Sequence, residues 1–110
     1  MNFIEGQGVL GKIQFLDGTM PAYDRTYLVV KTTNEYIEVL NVSTTKGKER
    51  KLAFPTNRRI KSYNPPFLKP SFGKLDSLKR VEKSLCDSLI ILNKGRVLDQ
   101  NELNVIQQLI

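Results

Sequence analysis

Arg25, the hydroxyls of Ser43 and Thr44, and the pair Lys74 and Asp76 are the groups in this sequence best suited to chemistry. An arginine, a lysine, a carboxylate and hydroxyls suffice for phosphoryl chemistry when the substrate supplies the nucleophile. In RNA a 2′-hydroxyl can attack its own neighbouring phosphate, so the protein needs only a base, an acid and stabilisation of the charge that develops. In that scheme Asp76 accepts the 2′-hydroxyl proton and Arg25 neutralises the developing dianion. A neighbouring ammonium such as Lys74 makes a carboxylate a weaker base, which shifts more of the work to Arg25. The chain has no histidine, which excludes Ser-His-Asp and Cys-His triads, imidazole-based ribonuclease chemistry and nearly every zinc site. Neither a metal nor a cofactor is expected.

For these groups to meet, strand ends must bring them together. TYLVVKT and YIEVLNVST are β-branched and aromatic runs of strand length, joined by the short polar turn Thr33-Asn34-Glu35, and they predict a hairpin. Both faces of the second run are largely apolar, which makes it a central strand. Arg25 enters the first run, and Ser43, Thr44 and Thr45 end the second. Lys74 and Asp76 stand two apart on a strand expected over SFGKLDSLKRV, or on the first of two short ones, and so share a face. Neighbouring strands lie ~5 Å apart, so all five groups can line one mouth of a small barrel.

Elsewhere, VLGKIQF from Gly8 to Phe15 suits a strand, and Asp17-Gly18 marks a turn. The stretch from Lys46 to Ser71 holds four of the five prolines and reads as irregular, with short strands around KLAF and RIKSY. Lys83 to Asn93 spaces Leu85, Leu89, Ile90 and Leu92 as a helix, with Gly95 as its stop. A second helix starts at Asp99, with Glu102 placed for a capping box and Leu103, Ile106, Leu109 and Ile110 as its stripe. The expected architecture is mainly β with a C-terminal helix, a small barrel-like core.

The formal charge of +6 is concentrated. Residues 46 to 62 carry Lys46, Lys48, Arg50, Lys51, Arg58, Arg59 and Lys61 against Glu49 alone, and the rest of the chain is neutral. Lys79 and Arg80 extend the basic run. A cationic face of this kind is a footprint for a polyanion, most often a phosphate backbone; a solvated loop is the plainer alternative. Phe54, Tyr63, Phe67 and Phe72 run through the same region. Most are expected in the core, with Tyr63 or Phe67 the choice for a surface ring that stacks on a base.

A chain of 110 residues makes one ordinary domain, spanning residues 1 to 110. Cys86 is the only cysteine, which rules out an intrachain disulfide and suits a reducing compartment and a core position. The start MNFIEGQG lacks a basic n-region followed by an apolar stretch, and no apolar window reaches membrane-spanning length. A cytoplasmic protein with no membrane partner is expected.

The order DRTYLVV, YIEVLNVST, SFGKLDSLKRVEK and a C-terminal helix resembles the MazF/PemK/Kid family of type II toxin–antitoxin toxins from Gly8 through Ile110. The resemblance implies a small SH3-like β-barrel of the CcdB/PemK type, a homodimer, metal-independent cleavage of single-stranded RNA, and neutralisation by an acidic antitoxin. It matches the family's strand-entry arginine to Arg25, its Ser/Thr pair to Ser43 and Thr44, and its Arg-x-Asp/Glu pattern to Lys74-Leu75-Asp76. Thr26 stands where the family usually has proline, and Lys74 where it has an arginine whose bidentate phosphate grip lysine cannot copy. The expected function is a metal-independent endoribonuclease toxin acting on mRNA. The same residues also fit a non-catalytic nucleic-acid-binding SH3-like module or a protein-directed, gyrase-poison-like inhibitor. They fit purely structural roles as well: Arg25 paired with Asp24 or Glu38, Lys74 with Asp76 on the surface, and Ser43 to Thr45 capping a strand.

Overall fold

A computed structural model describes residues 2–14 and 18–110. The β-branched runs predicted as a hairpin form one: β2 (Arg25–Thr32) pairs antiparallel with β3 (Tyr36–Thr44) from Thr26↔Val42 to Thr32↔Ile37, with a bulge between Val29 and Lys31. The turn between them is held by Thr33, whose backbone N–H donates to the Tyr36 carbonyl and whose hydroxyl accepts from the N–H groups of Glu35 and Tyr36. Side chains alternate across a strand, and here both sides are buried. Tyr27, Val29, Ile37 and Val39 pack into one apolar cluster, Leu28, Val30, Leu40 and Val42 into another. At ~1.5–3 kcal/mol for each large aliphatic side chain taken from water, this hairpin is the main organiser of the core.

Around it, β1 (Gly8–Gly11) pairs with β2, while β5 (Ser71–Lys74) and β6 (Lys79–Glu82) share the far side of β3. β4 (Asn57–Arg59) pairs with β5, and β7 (Ile90–Ile91) with β1. The result is one antiparallel sheet of seven strands in the order β4-β5-β3-β2-β1-β7, with β6 beside β5 on β3. The sheet does not close on itself, and α1 (Gln100–Leu109) packs on its Leu28 side through Leu103 and Ile106. Gly6 shows why the chain can be drawn in beside β2. Its φ of +96° favours glycine, and a Cβ there would lie 3.1 Å from Val97 Cβ and 3.2 Å from Leu98 N. No helix among the described residues is long and apolar enough to cross a membrane. Cys86 is buried, as expected.

Three expectations for local structure fail. KLAF lies mostly in a 3₁₀ segment, Glu49–Ala53, and of RIKSY only Arg59 belongs to a strand. Lys83 to Asn93 is not a helix. It breaks into a 3₁₀ turn at Lys83–Leu85, the strand β7 and a second 3₁₀ turn at Asn93–Gly95. Its leucines and isoleucines do not share a face, because Leu85 and Ile90 are exposed, Leu89 joins one core cluster and Leu92 packs on the other. The free edge of β1 captures Ile90 and Ile91 instead, and positive φ at Asn93, Lys94 and Gly95 is incompatible with a continuing helix. The capping box at α1 is half present. The Asp99 carboxylate accepts from Glu102 N–H, but the Glu102 side chain turns to Arg58 and Lys61 instead. Leu103 and Ile106 are buried, whereas Leu109 and Ile110 are exposed. Phe15 and Asp17 lie outside the described residues.

Candidate functional site

Arg25, Ser43 and Lys74 do converge. Arg25 is the first residue of β2, Ser43 is the penultimate residue of β3 and Lys74 the last of β5. The pairings Tyr27↔Asn41, Ser43↔Phe72 and Val42↔Gly73 bring these ends side by side. They line a cavity of about 190 Å³ together with Tyr23, Asp24, Thr26, Asn41, Val42 and Lys48. The Arg25 guanidinium lies 4.9 Å from the centre of the Tyr23 ring and donates to its hydroxyl at 3.4 Å. Arg25 Nε and Asn41 Oδ1 are buried and have no hydrogen-bond partner. Unpaired buried polar atoms are costly, so two of them on residues that line one cavity are a cost the fold carries at this place.

The electrostatics agree. Partial burial pushes the Lys74 ammonium below its usual pKa, Lys51, Lys48 and Arg25 push it further the same way, and Asp76 only partly opposes them. Four cations therefore lie close together here, with Asp24 the carboxylate among the lining residues. Lys74 is oriented by the turn that follows: the Ser77 N–H and hydroxyl both donate to its carbonyl, and the hydroxyl accepts from Asn41 N–H.

Thr44 and Asp76 fall outside this cavity. Thr44 follows Ser43 on a strand and therefore points to the opposite face, where it lines a second, apolar cavity. β5 ends at Lys74, and Asp76 is exposed in the turn beyond it, so the expectation that the two share one strand face fails. Among the basic residues, Lys48 lines the cavity and Lys51 flanks it, while Lys46, Arg50 and Arg59 are exposed. Arg58 does not offer its charge to a ligand. It forms a bidentate pair with Glu102, at 3.1 Å from Nε and 2.8 Å from the terminal nitrogen, and that bond holds its pKa above the ordinary arginine value. Lys79 and Arg80 lie on β6, at the opposite end of β3 from Ser43. Arg80 there sits 4.0 Å from the centre of the Tyr36 ring and 3.6 Å from Glu38. Phe67 is buried and Tyr63 half-buried, so the exposed rings of the region are Tyr23 and Phe54 instead. Asn41 stands between the apolar Leu40 and Val42 of β3, a polar break in the pattern but not part of any catalytic spacing.

Among the described residues no group of three His, Cys, Asp or Glu side chains is placed to hold a metal ion. The fold and site together define an antiparallel β protein with a cationic, partly unsatisfied cavity at the ends of its central strands. No family model matches the chain, and no curated protein matches it.

Removing the Lys74 charge should stabilise the fold. Because the folded state disfavours its ammonium, the penalty is complete at neutral pH and is relieved as pH rises between the depressed pKa and 10.5, the ordinary lysine value. Lys74→Met is therefore expected to melt a few °C above wild type at pH 7, with the gap closing toward pH 10 and at high salt. Thermal melts across that range check both trends.

Proposed function

We propose that the cationic cavity binds an RNA phosphodiester and cleaves it, making the chain a metal-independent endoribonuclease of the MazF/PemK/Kid type. The observation that carries this reading is the convergence of Arg25, Ser43, Lys48 and Lys74 on one cavity whose Arg25 Nε and Asn41 Oδ1 lack partners. The 2′-oxygen bonds to phosphorus as the P–O5′ bond breaks, leaving a 2′,3′-cyclic phosphate and a 5′-hydroxyl. Asp24, the carboxylate that lines the cavity, accepts the 2′-hydroxyl proton in place of Asp76. Lys74, a stronger acid than an ordinary lysine, protonates the departing 5′-oxygen. Arg25 and Lys48 face the developing dianion, and the Ser43 hydroxyl donates to a non-bridging oxygen. An open antiparallel sheet with a C-terminal helix is compatible with a partly open SH3-like barrel. The toxin reading brings with it a cytoplasmic setting, a homodimer and an acidic antitoxin whose disordered tail folds onto the exposed lysines.

A pair of substitutions separates the carboxylates. Asp24→Asn is expected to slow cleavage of a single-stranded oligoribonucleotide by about 10²-fold, the low end for loss of a general base, while Asp76→Ala cuts within about twofold of wild type. The reverse ranking would return the base to Asp76. Phosphate binding without turnover is the second reading, favoured by the cations alone. It predicts salt-sensitive binding of RNA that stays intact.

A further inference from the structure

Lys74 ends β5 and lines the small cationic cavity with Arg25 from the start of β2, Lys48 from the basic segment and the carboxylate of Asp24. Among the described residues Lys74, Lys48 and Lys51 make no ion pair. Partial burial, and then the charges of Lys51, Lys48 and Arg25, make the Lys74 ammonium easier to deprotonate, with Asp76 in the turn beyond β5 opposing them. A lysine amine is a nucleophile only when neutral, and desolvation beside other cations is how proteins bring it to that state. The cavity volume of about 190 Å³ lies below the ~300–1,000 Å³ usual for drug-sized ligands, so what meets Lys74 here is small.

We propose that Lys74 is a modification site, acylated by a small acyl phosphate whose phosphate is held by Arg25 and Lys48, and that the acyl group switches the cavity off. The neutral Lys74 amine adds to the carbonyl carbon. An N–C bond forms as the C–O bond to phosphate breaks; the electron pair of the broken bond and the proton lost by nitrogen both leave with the phosphate. The products are an amide and hydrogen phosphate. An acyl phosphate fits better than other acyl donors because the cations here recognise its leaving group and stabilise the charge that group acquires. The amide carries no charge and no acidic proton. It removes one of the cations that attract phosphate and the acid assigned to the departing 5′-oxygen. The loss of cleavage rests on the phosphodiester reading, whereas the modification itself does not.

Incubation of the whole chain with acetyl phosphate near neutral pH, followed by peptide mass spectrometry, tests this. Lys46 and Lys61 are exposed and do not line the cavity, so they serve as internal controls. Lys74 is expected to be acetylated about tenfold faster than either, the low end of the local enrichment that a cleft of one charge sign gives an anion. Inorganic phosphate should compete saturably at Lys74 and leave Lys46 and Lys61 unaffected. With p-nitrophenyl acetate, an uncharged donor, the preference should shrink severalfold. Lys48→Gln should also remove most of it, and this change is safe for the fold because Lys48 is exposed and its side chain caps nothing. The rate of RNA cleavage should fall in proportion to the fraction of Lys74 acetylated. Equal acetylation of Lys74 and the controls, or a preference that phosphate does not compete, overturns the site. Selective acetylation that leaves cleavage unchanged overturns the switch. Selective acetylation of a chain that cuts no RNA supports the site, while the switch falls with the phosphodiester reading.

Discussion

Arg25→Ala is expected to slow RNA cleavage by about 10²–10³-fold or more, the usual cost of removing one preorganised donor from a developing oxyanion. Arg25 is held at the start of β2 with its guanidinium beside Tyr23, its Nε buried and unpartnered, and it shares the cavity with Ser43, Lys48 and Lys74. A group already desolvated and oriented before substrate arrives has little reorganisation left to do at the moment of reaction, which is why the loss falls on kcat. Arg25→Lys should recover only a small part of the rate, because an ammonium cannot reproduce the planar two-pronged geometry of a guanidinium. Binding of uncut RNA should weaken far less, by about a few-fold, since Lys48, Lys51 and Lys74 remain to attract phosphate. Single-turnover kinetics beside an equilibrium binding assay with a 2′-deoxy substrate separate the two effects. Equal losses in rate and affinity would reduce Arg25 to a binding residue.

The second large effect is on stability. Glu102 is 5% exposed and accepts three hydrogen bonds, two from the Arg58 guanidinium and one from Lys61 N–H, tying β4 and the basic segment to the first turn of α1. Glu102→Ala leaves the Lys61 amide and a partly buried guanidinium unsatisfied. Breaking a fully buried pair costs ~3–5 kcal/mol; because Arg58 is 23% exposed and can turn to water, about 2–3 kcal/mol is expected, a large share of a small domain's stability. Arg58→Met, which strands a buried carboxylate instead, should cost a similar amount. The double variant Arg58→Met/Glu102→Leu should be less destabilised than the sum of the singles, since neither charge is left alone. Urea denaturation of all four proteins measures that coupling. Strict additivity would mean that the pair contributes only as two independent side chains. RNA affinity corrected for folded fraction should change little, because Arg58 is committed to Glu102 and is not free to grip phosphate.

Much of the architecture was legible in the residues. The β2–β3 hairpin follows from two β-branched runs and a polar turn, and the central place of β3 follows from apolar residues on both its faces. The Asp99 cap and the amphipathic Leu103 and Ile106 placed α1 correctly. What misled was helical spacing without helical context. Leu85, Leu89, Ile90 and Leu92 are spaced as a helix, but the open edge of β1 offers backbone partners that outweigh local periodicity, a tertiary effect that a single segment does not carry. Charge counting likewise identified the basic segment but not which of its cations are already paired. Arg58 looks the same in sequence as Arg59, and only the packing of α1 against β4 separates the two.

For the site, Arg25, Ser43 and Lys74 were legible as strand-end residues, and three of the five chosen groups meet in one cavity. Thr44 was lost to the two-residue period of β3, which sends neighbours to opposite faces. Asp76 was lost because β5 stops at Lys74, two residues sooner than the pattern SFGKLDSLKRV suggests. Asn41 and Tyr23 were overlooked, since neither belongs to a catalytic spacing; they matter through what they leave unsatisfied and what they hold in place.

The central claim is that this cavity breaks RNA by 2′-hydroxyl attack. Its most direct measurement is mass spectrometry of the ends formed when single-stranded RNA is incubated in EDTA with wild type and with Arg25→Ala. The account predicts 2′,3′-cyclic phosphate and 5′-hydroxyl ends with wild type, and a loss of about 10²-fold or more with Arg25→Ala. Intact RNA with wild type, or the same ends at the same rate from Arg25→Ala, would contradict it.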